Sequence, residues 1–192
     1  MDKEVSMKKL RKNIEKVQTA KRLEHTMGVE YTAACLAMKY GVSLTDARVA
    51  GLLHDCAKCM TDEELLKACK KNHYDPSAFE KRNPFILHGR VGAFLAKSEY
   101  GIEQEDILNA IAFHTTGRRN MSVLEKIIFI ADYIEPGRNK AANLEEIRKL
   151  AFEDLDAALI RILEDTLVYL KNSEGEIDPM TEITWKYYTN QL

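Results

Sequence analysis

The stretch "VAGLLHDCAK", residues 49–58, sets a histidine and an aspartate side by side inside an apolar run. Its apolar residues recur at helical rather than alternating spacing, which predicts a helix from residue 43 or 44 to 58 with His54 and Asp55 on it. The same reading extends outward in both directions. Helices are expected over 3–17 and over 19–40, the second stopping where Gly41 can take the left-handed conformation. "TDEE" at 61–64 and "SVLE" at 122–125 have the form of capping boxes, opening helices to 71 or 72 and to about 135. Further helices are expected over 84–98 and 103–114, with one or two over 143–172. In "DPMTEITWKYYTNQ", Pro179 takes the first position of a final helix. No run alternates convincingly between turn signals, so the fold class is all-α.

Composition bounds what such a chain can be. Its 192 residues, 45% hydrophobic with four prolines, can bury a substantial core and fit one domain, with no internal repeat or long linker. No window has the roughly 18–20 consecutive apolar residues of a membrane span, and the opening "MDKEVSMKKLRKNIEK" lacks the apolar core of a secretory signal. A soluble, cytoplasmic protein is expected, without membrane contact. A formal charge of -2 argues against a generally basic nucleic-acid binder. Four cysteines at irregular spacing do not suggest a disulfide framework. Cys56 and Cys59 have Cys-x-x-Cys spacing, but no second pair and no preceding strand support a zinc or redox site, and two small buried or boundary residues are expected.

The histidines carry the chemistry. His25, His54, His88 and His114 lie on or at the ends of expected helices, among apolar or small neighbours, whereas His73 stands in a polar loop. Asp132 interrupts "IIFIADYIE", where an isolated ionised carboxylate would cost several kcal/mol and so needs a partner, a shifted pKa or a metal. Any one of these has a structural explanation, as a hydrogen-bonded core histidine or an ion-paired aspartate. Together, four histidines with Asp55 and Asp132 make a nitrogen and oxygen donor set suited to iron, manganese or another divalent transition metal. A cation would also compensate the buried carboxylates.

The order His25, His54–Asp55, Asp132 resembles the H…HD…D pattern of HD-domain metal-dependent phosphohydrolases. "KRLEHTMGVE", "AGLLHDCAK", "LHGRVGA", "AFHTTGR" and "ADYIEPGR", spanning residues 21–138, resemble in order the motifs of the YqeK-type HD proteins, the bacterial symmetrical bis(5'-nucleosyl)-tetraphosphatases. The likeness continues more weakly in "EGEIDPMTEITWKYYTN".

The resemblance implies an HD-domain helical bundle, with a motif core over about 19–138 and C-terminal helices over about 143–192. It implies a metal, iron foremost and manganese second, on His25, His54, Asp55 and Asp132. His88 and His114 would hold a second metal, with Asp55 bridging, or contact phosphate directly, and with Asp55 they form the expected catalytic set. The activity implied is cleavage of diadenosine tetraphosphate into two ADP. An HD phosphatase of mononucleotides or guanosine polyphosphates, and a nucleotide or metal sensor without turnover, are the alternatives.

Cations for a nucleotide substrate lie beside these motifs: Arg22 one turn from His25, Lys58 four residues after His54, and Arg138 after the Pro136–Gly137 turn. His25, His88 and His114 are expected to touch substrate as well. Thr115 and Thr116 offer hydroxyls, Gly117 could bring backbone amides to an anion, and Arg118 and Arg119 read as loop charges. Trp185, Tyr187 and Tyr188 could stack a base, although aromatics on a terminal helix usually pack on their own core. The amphipathic terminal helices could pack at home or form a homodimer.

Overall fold

A computed structural model of the chain describes residues 6–141, 143–173 and 176–190. Among these are eleven α-helices, one 3-10 turn and no strand. The helices are α1 Met7–Ile14, α2 Ala20–Tyr40, α3 Leu44–Leu53, α4 Asp62–Lys71, α5 Ala78–Arg82 and α6 His88–Ser98. They continue with α7 Glu105–Ala112, α8 Val123–Ile134, α9 Leu144–Glu153, α10 Leu155–Asn172 and α11 Pro179–Tyr188. The expected start of the first helix, at residues 3–5, and the last residues of the C-terminal segment lie outside the described residues, as do Glu174 and Gly175 of the weaker resemblance.

The long α2 is the spine. Thr19 caps it by accepting from the Arg22 amide, and Gly41, at φ 70°, ends it. Its buried face is Val29, Ala33, Leu36 and Ala37, and α3 and α8 pack along it. The α2–α3 approach is close because Gly51 has no side chain: a Cβ there would lie 3.0 Å from the Glu30 Cα. Further along, α7 packs on α3, α6 and α8, and one buried apolar cluster draws on α1, α2, α3, α6, α7, α8, α9 and α10. A smaller cluster of Ala57, Leu65, Cys69, Leu87 and Val91 seats α4.

The differences from sequence expectation have local causes. The third helix does not reach residue 58: α3 stops at Leu53, and residues 54–60 wind through i→i−3 turns (Cys56 N to Leu53 O 3.0 Å, Lys58 N to Asp55 O 3.0 Å, Met60 N to Ala57 O 3.1 Å). The helix expected over 84–98 is a 3-10 turn, Pro84–Leu87, running into α6. His114 lies just past α7 rather than on it. An unexpected short helix, α5, is opened by a capping box between Ser77 and Glu80. Asp154, extended at φ −143°, divides α9 from α10 and caps the latter through the amides of Asp156 and Ala157.

Cys56 is buried and its thiol is pushed up to about 12 by burial and then by the Asp55 charge, while burial first takes Cys69 to about 11. Cys35 and Cys59 are exposed. Two thiols should therefore react rapidly with Ellman's reagent in the native protein, and all four only after denaturation. Four fast thiols in native buffer would contradict the packing of α4 and of the 54–60 turns.

Candidate metal centre

His54, His88 and His114 are held by one device used three times. Each sits where a helix or 3-10 turn ends or begins, and each places Nδ1 on the carbonyl three residues earlier: His54 on Gly51 (2.7 Å), His88 on Phe85 (2.7 Å) and His114 on Ile111 (2.8 Å). A carbonyl can only accept, so each Nδ1 carries a proton, which in the neutral ring leaves the Nε2 lone pair turned into the site. His25 is inside α2, where the neighbouring carbonyls serve the helix, and its Nδ1 lies 3.0 Å from Glu135 Oε1 instead.

The Nε2 atoms converge on two carboxylates. His25 Nε2 stands 3.0 Å from Asp132 Oδ1 and 3.9 Å from Asp55 Oδ2, and His54 Nε2 stands 3.4 Å from the same Oδ2. On the other side, Asp55 Oδ1 faces His88 Nε2 at 3.3 Å and His114 Nε2 at 3.5 Å, and those two nitrogens are 3.2 Å apart. Asp55 thus joins two halves through its two oxygens. The α6–α7 half closes because Gly89, beside His88, lets the helices touch; a Cβ there would stand 2.9 Å from the Ala112 carbonyl.

This arrangement fits a metal on its own atoms. His25 Nε2, His54 Nε2 and Asp55 Oδ1 are buried without a hydrogen-bond partner, acceptors facing acceptors. Three overlapping groups, His25–His54–Asp55, His54–His114–Asp132 and Asp55–His88–His114, each bring their donor atoms within 4.8 Å of one another. Donors on adjacent positions of a first-row cation bound at about 2.1 Å stand about 3 Å apart. With no sulfur among them, the donors suit a divalent metal of borderline or hard character.

On the two carboxylates, burial and the neighbouring imidazoles act in opposite directions. Burial pushes the Asp55 carboxyl up, but the imidazoles of His54, His114 and His88 outweigh it and hold it well below the usual carboxylate range. Asp132 is likewise depressed, burial being overcome by His25, His54 and Arg138. Burial lowers His88 below an ordinary imidazole despite Asp55, with His114 and Lys58 adding to the effect. Lys58 is lowered too, chiefly by burial.

The expected cations are all at the rim. Arg22 Nη1 reaches Asp55 Oδ2 at 2.8 Å, Arg138 Nη2 reaches Asp132 Oδ1 at 2.6 Å, and Lys58 Nζ lies 3.3 Å from His88 Nε2. Lys58 gets there from a turn, not from a helix face. Thr115 Oγ1 is 3.3 Å from His114 Nε2. Gly117 is not an anion contact: its amide donates to Phe113 O at 2.8 Å, and a Cβ there would meet Thr184 Cγ2 at 2.7 Å. Arg118 is clamped on buried Glu125, Arg119 and His73 are exposed, and Trp185 and Tyr188 pack on the core.

Sequence reasoning missed two contributors. Glu135 reads only as a helix end before Pro-Gly, and Arg90 is given no role beyond its place in "LHGRVGA". Arg90 lies over the Phe113 ring (4.6 Å) and the Tyr74 ring (5.2 Å) and lines a cavity of about 540 Å³ bounded by α5, α6 and α11. Thr115, beside His114, lines the same cavity.

Residues 22–137 match the HD domain family. The chain is 40% identical over 169 residues to the symmetrical bis(5'-nucleosyl)-tetraphosphatase of Bacillus subtilis, covering 88% of this chain and 90% of the relative. It is 35% identical to the protein of that name from Staphylococcus aureus, over 88% of this chain and 87% of the relative. A crystal structure from Clostridium acetobutylicum, described as a predicted HD superfamily hydrolase involved in NAD metabolism, superposes with a TM-score of 0.93 at 42% identity, covering 97% of this chain and 98% of that one. The four histidines and Asp132 that meet around Asp55 are therefore carried by a chain that belongs to the HD-domain family, among its symmetrical bis(5'-nucleosyl)-tetraphosphatases.

Proposed function

We propose that the chain hydrolyses dinucleoside tetraphosphates, diadenosine tetraphosphate foremost, at the central anhydride to give two nucleoside diphosphates. The observation that carries this reading is the Asp55 carboxylate, which offers Oδ2 to His25 and His54 and Oδ1 to His88 and His114 under a rim of Arg22, Lys58 and Arg138. The activity for which the Bacillus subtilis and Staphylococcus aureus relatives are named supports it.

His25, His54, Asp55 and Asp132 hold one cation, iron first and manganese second. Asp55, His88 and His114 hold another. Bound there, divalent cations supply a hydrolytic nucleophile near neutral pH and neutralise phosphate charge. Arg22 and Arg138 grip phosphate oxygens from the side of Asp132, and Lys58 does so from the side of His88. Thr115 donates its hydroxyl to the phosphate nearest the cavity. There Tyr74, Arg90 and Phe113 line the space for one nucleoside, in a volume typical of small-ligand sites.

The chain acts as a single domain, since one buried cluster runs from α1 to α10. A cytoplasmic setting without nucleic acid is part of the proposal, supported by the formal charge of -2 and the irregular spacing of the four cysteines. No described helix is long and apolar enough to cross a membrane. Homodimerisation remains part of the proposal, through faces of the terminal helices.

Anion-exchange separation of products after incubation with diadenosine tetraphosphate tests the reading. ADP should be the sole product with Fe(II) or Mn(II), and none should form after chelation. AMP with ATP, or intact substrate under every metal condition, would overturn it.

A further inference from the structure

We propose that Glu135 is a positioning residue that holds His25 in its metal-binding orientation and tautomer; the inference rests on the reading of His25 as a metal ligand. His54, His88 and His114 are fixed by backbone carbonyls, whereas His25 relies on a carboxylate, with Nδ1 and Oε1 3.0 Å apart. An ionised carboxylate on Nδ1 fixes the proton there, frees Nε2, and strengthens the ring as a donor.

Three features show that the surroundings are shaped for this carboxylate. Glu135 is 3% exposed, and among the described residues no lysine or arginine forms an ion pair with it; its other contact is the Gly137 amide, which donates to Oε2 at 2.5 Å. A buried carboxylate so placed is served by the His25 ring and the Gly137 amide. Space has been cleared on both sides: a Cβ on Gly28, one turn beyond His25, would stand 2.5 Å from Oε2, and one on Gly137 would stand 3.0 Å from both carboxylate oxygens. Finally, Arg148 of α9 donates to the carbonyls of Ile134 (2.9 Å), Glu135 (3.0 Å) and Arg138 (2.9 Å), pinning the turn. The same short turn therefore sets both the support of a metal ligand and the reach of Arg138.

The test is Mn(II) affinity of metal-stripped protein, measured by competition with a fluorescent chelator, beside the melting temperature of the metal-free form. Glu135→Ala should weaken Mn(II) binding by about 10–100-fold, the usual cost of losing a ligand's supporting partner. Glu135→Gln should fall between it and the wild type, because the amide oxygen still accepts from Nδ1. Arg148→Met loosens the turn without touching His25, and should weaken binding less than either. His25→Ala should abolish binding at the first cation position.

Wild-type affinity in both Glu135 variants, with binding lost in His25→Ala, would overturn the positioning role and leave the metal reading standing. Loss in Arg148→Met as large as in Glu135→Ala would also overturn it, by assigning the effect to the backbone. Undiminished binding in His25→Ala would remove both. Should Glu135→Ala fail to fold, the near-isosteric Glu135→Gln decides.

Discussion

Replacing Asp55 by asparagine should lower turnover of diadenosine tetraphosphate by on the order of 10³-fold or more, because one amide cannot supply charge to both halves of the centre. The carboxylate faces four imidazoles, with Oδ2 toward His25 and His54 and Oδ1 toward His88 and His114. An asparagine would keep the shape and one acceptor oxygen, but would turn an NH₂ group toward one pair of lone pairs. Metal content should fall together with activity, as read by elemental analysis of the purified variant. The Arg22 partner at 2.8 Å would then be left facing a neutral amide. A variant retaining a tenth or more of wild-type turnover at full metal content would sink the bridging role. A merely structural aspartate would instead show a lowered melting temperature with normal activity per folded molecule.

The second large effect is on stability. Glu30 is completely buried on α2 and is held by two arginines: Arg11 Nε and Nη2 at 3.0 and 2.7 Å, and Arg48 Nε and Nη2 each at 3.0 Å. This cluster ties α1 and α3 to the spine at the place where Gly51 allows α3 to approach. Glu30→Ala would leave two guanidinium groups around an apolar hole, at a cost of about 3–5 kcal/mol. For a chain of this length that lowers the melting temperature by about 6–20 °C. Thermal unfolding followed by circular dichroism measures it. A shift within a degree or two would mean that the arginines are well enough served by water, being about 30% exposed.

The sequence makes the donor set legible because buried polar residues in helical apolar runs need an explanation, and His25, His54, Asp55, His88, His114 and Asp132 do come together. Pattern alone does not show where a helix ends around them. "GLLHDCAK" has helical spacing through Lys58, yet α3 stops at Leu53 because its last carbonyls are better used: Gly51 receives His54 Nδ1, and Leu53 receives the Cys56 amide. The short α5 carries its own signal, "SAFE" at 77–80, which has the same capping-box form as "TDEE" and "SVLE" but is masked by flanking prolines. Glu135 and Arg90 could not be found this way. Their roles depend on tertiary neighbours distant in the chain, His25 for the one and Tyr74 with Phe113 for the other. Arg118 shows the reverse case, a basic residue in a motif whose guanidinium is spent on Glu125.

The donors come from α2, the turn after α3, the start of α6, the turn after α7, and α8, and so appear one after another as the chain is synthesised. Four histidines and Asp55 precede Asp132, while Glu135 and Arg148 come later still. At about 5–20 residues per second, the hundred-odd residues between His25 and Asp132 take several seconds or more to emerge from the ribosome. During that interval the nascent chain displays imidazoles with no complete cage to put them in. Full metal loading is therefore an event of the finished fold.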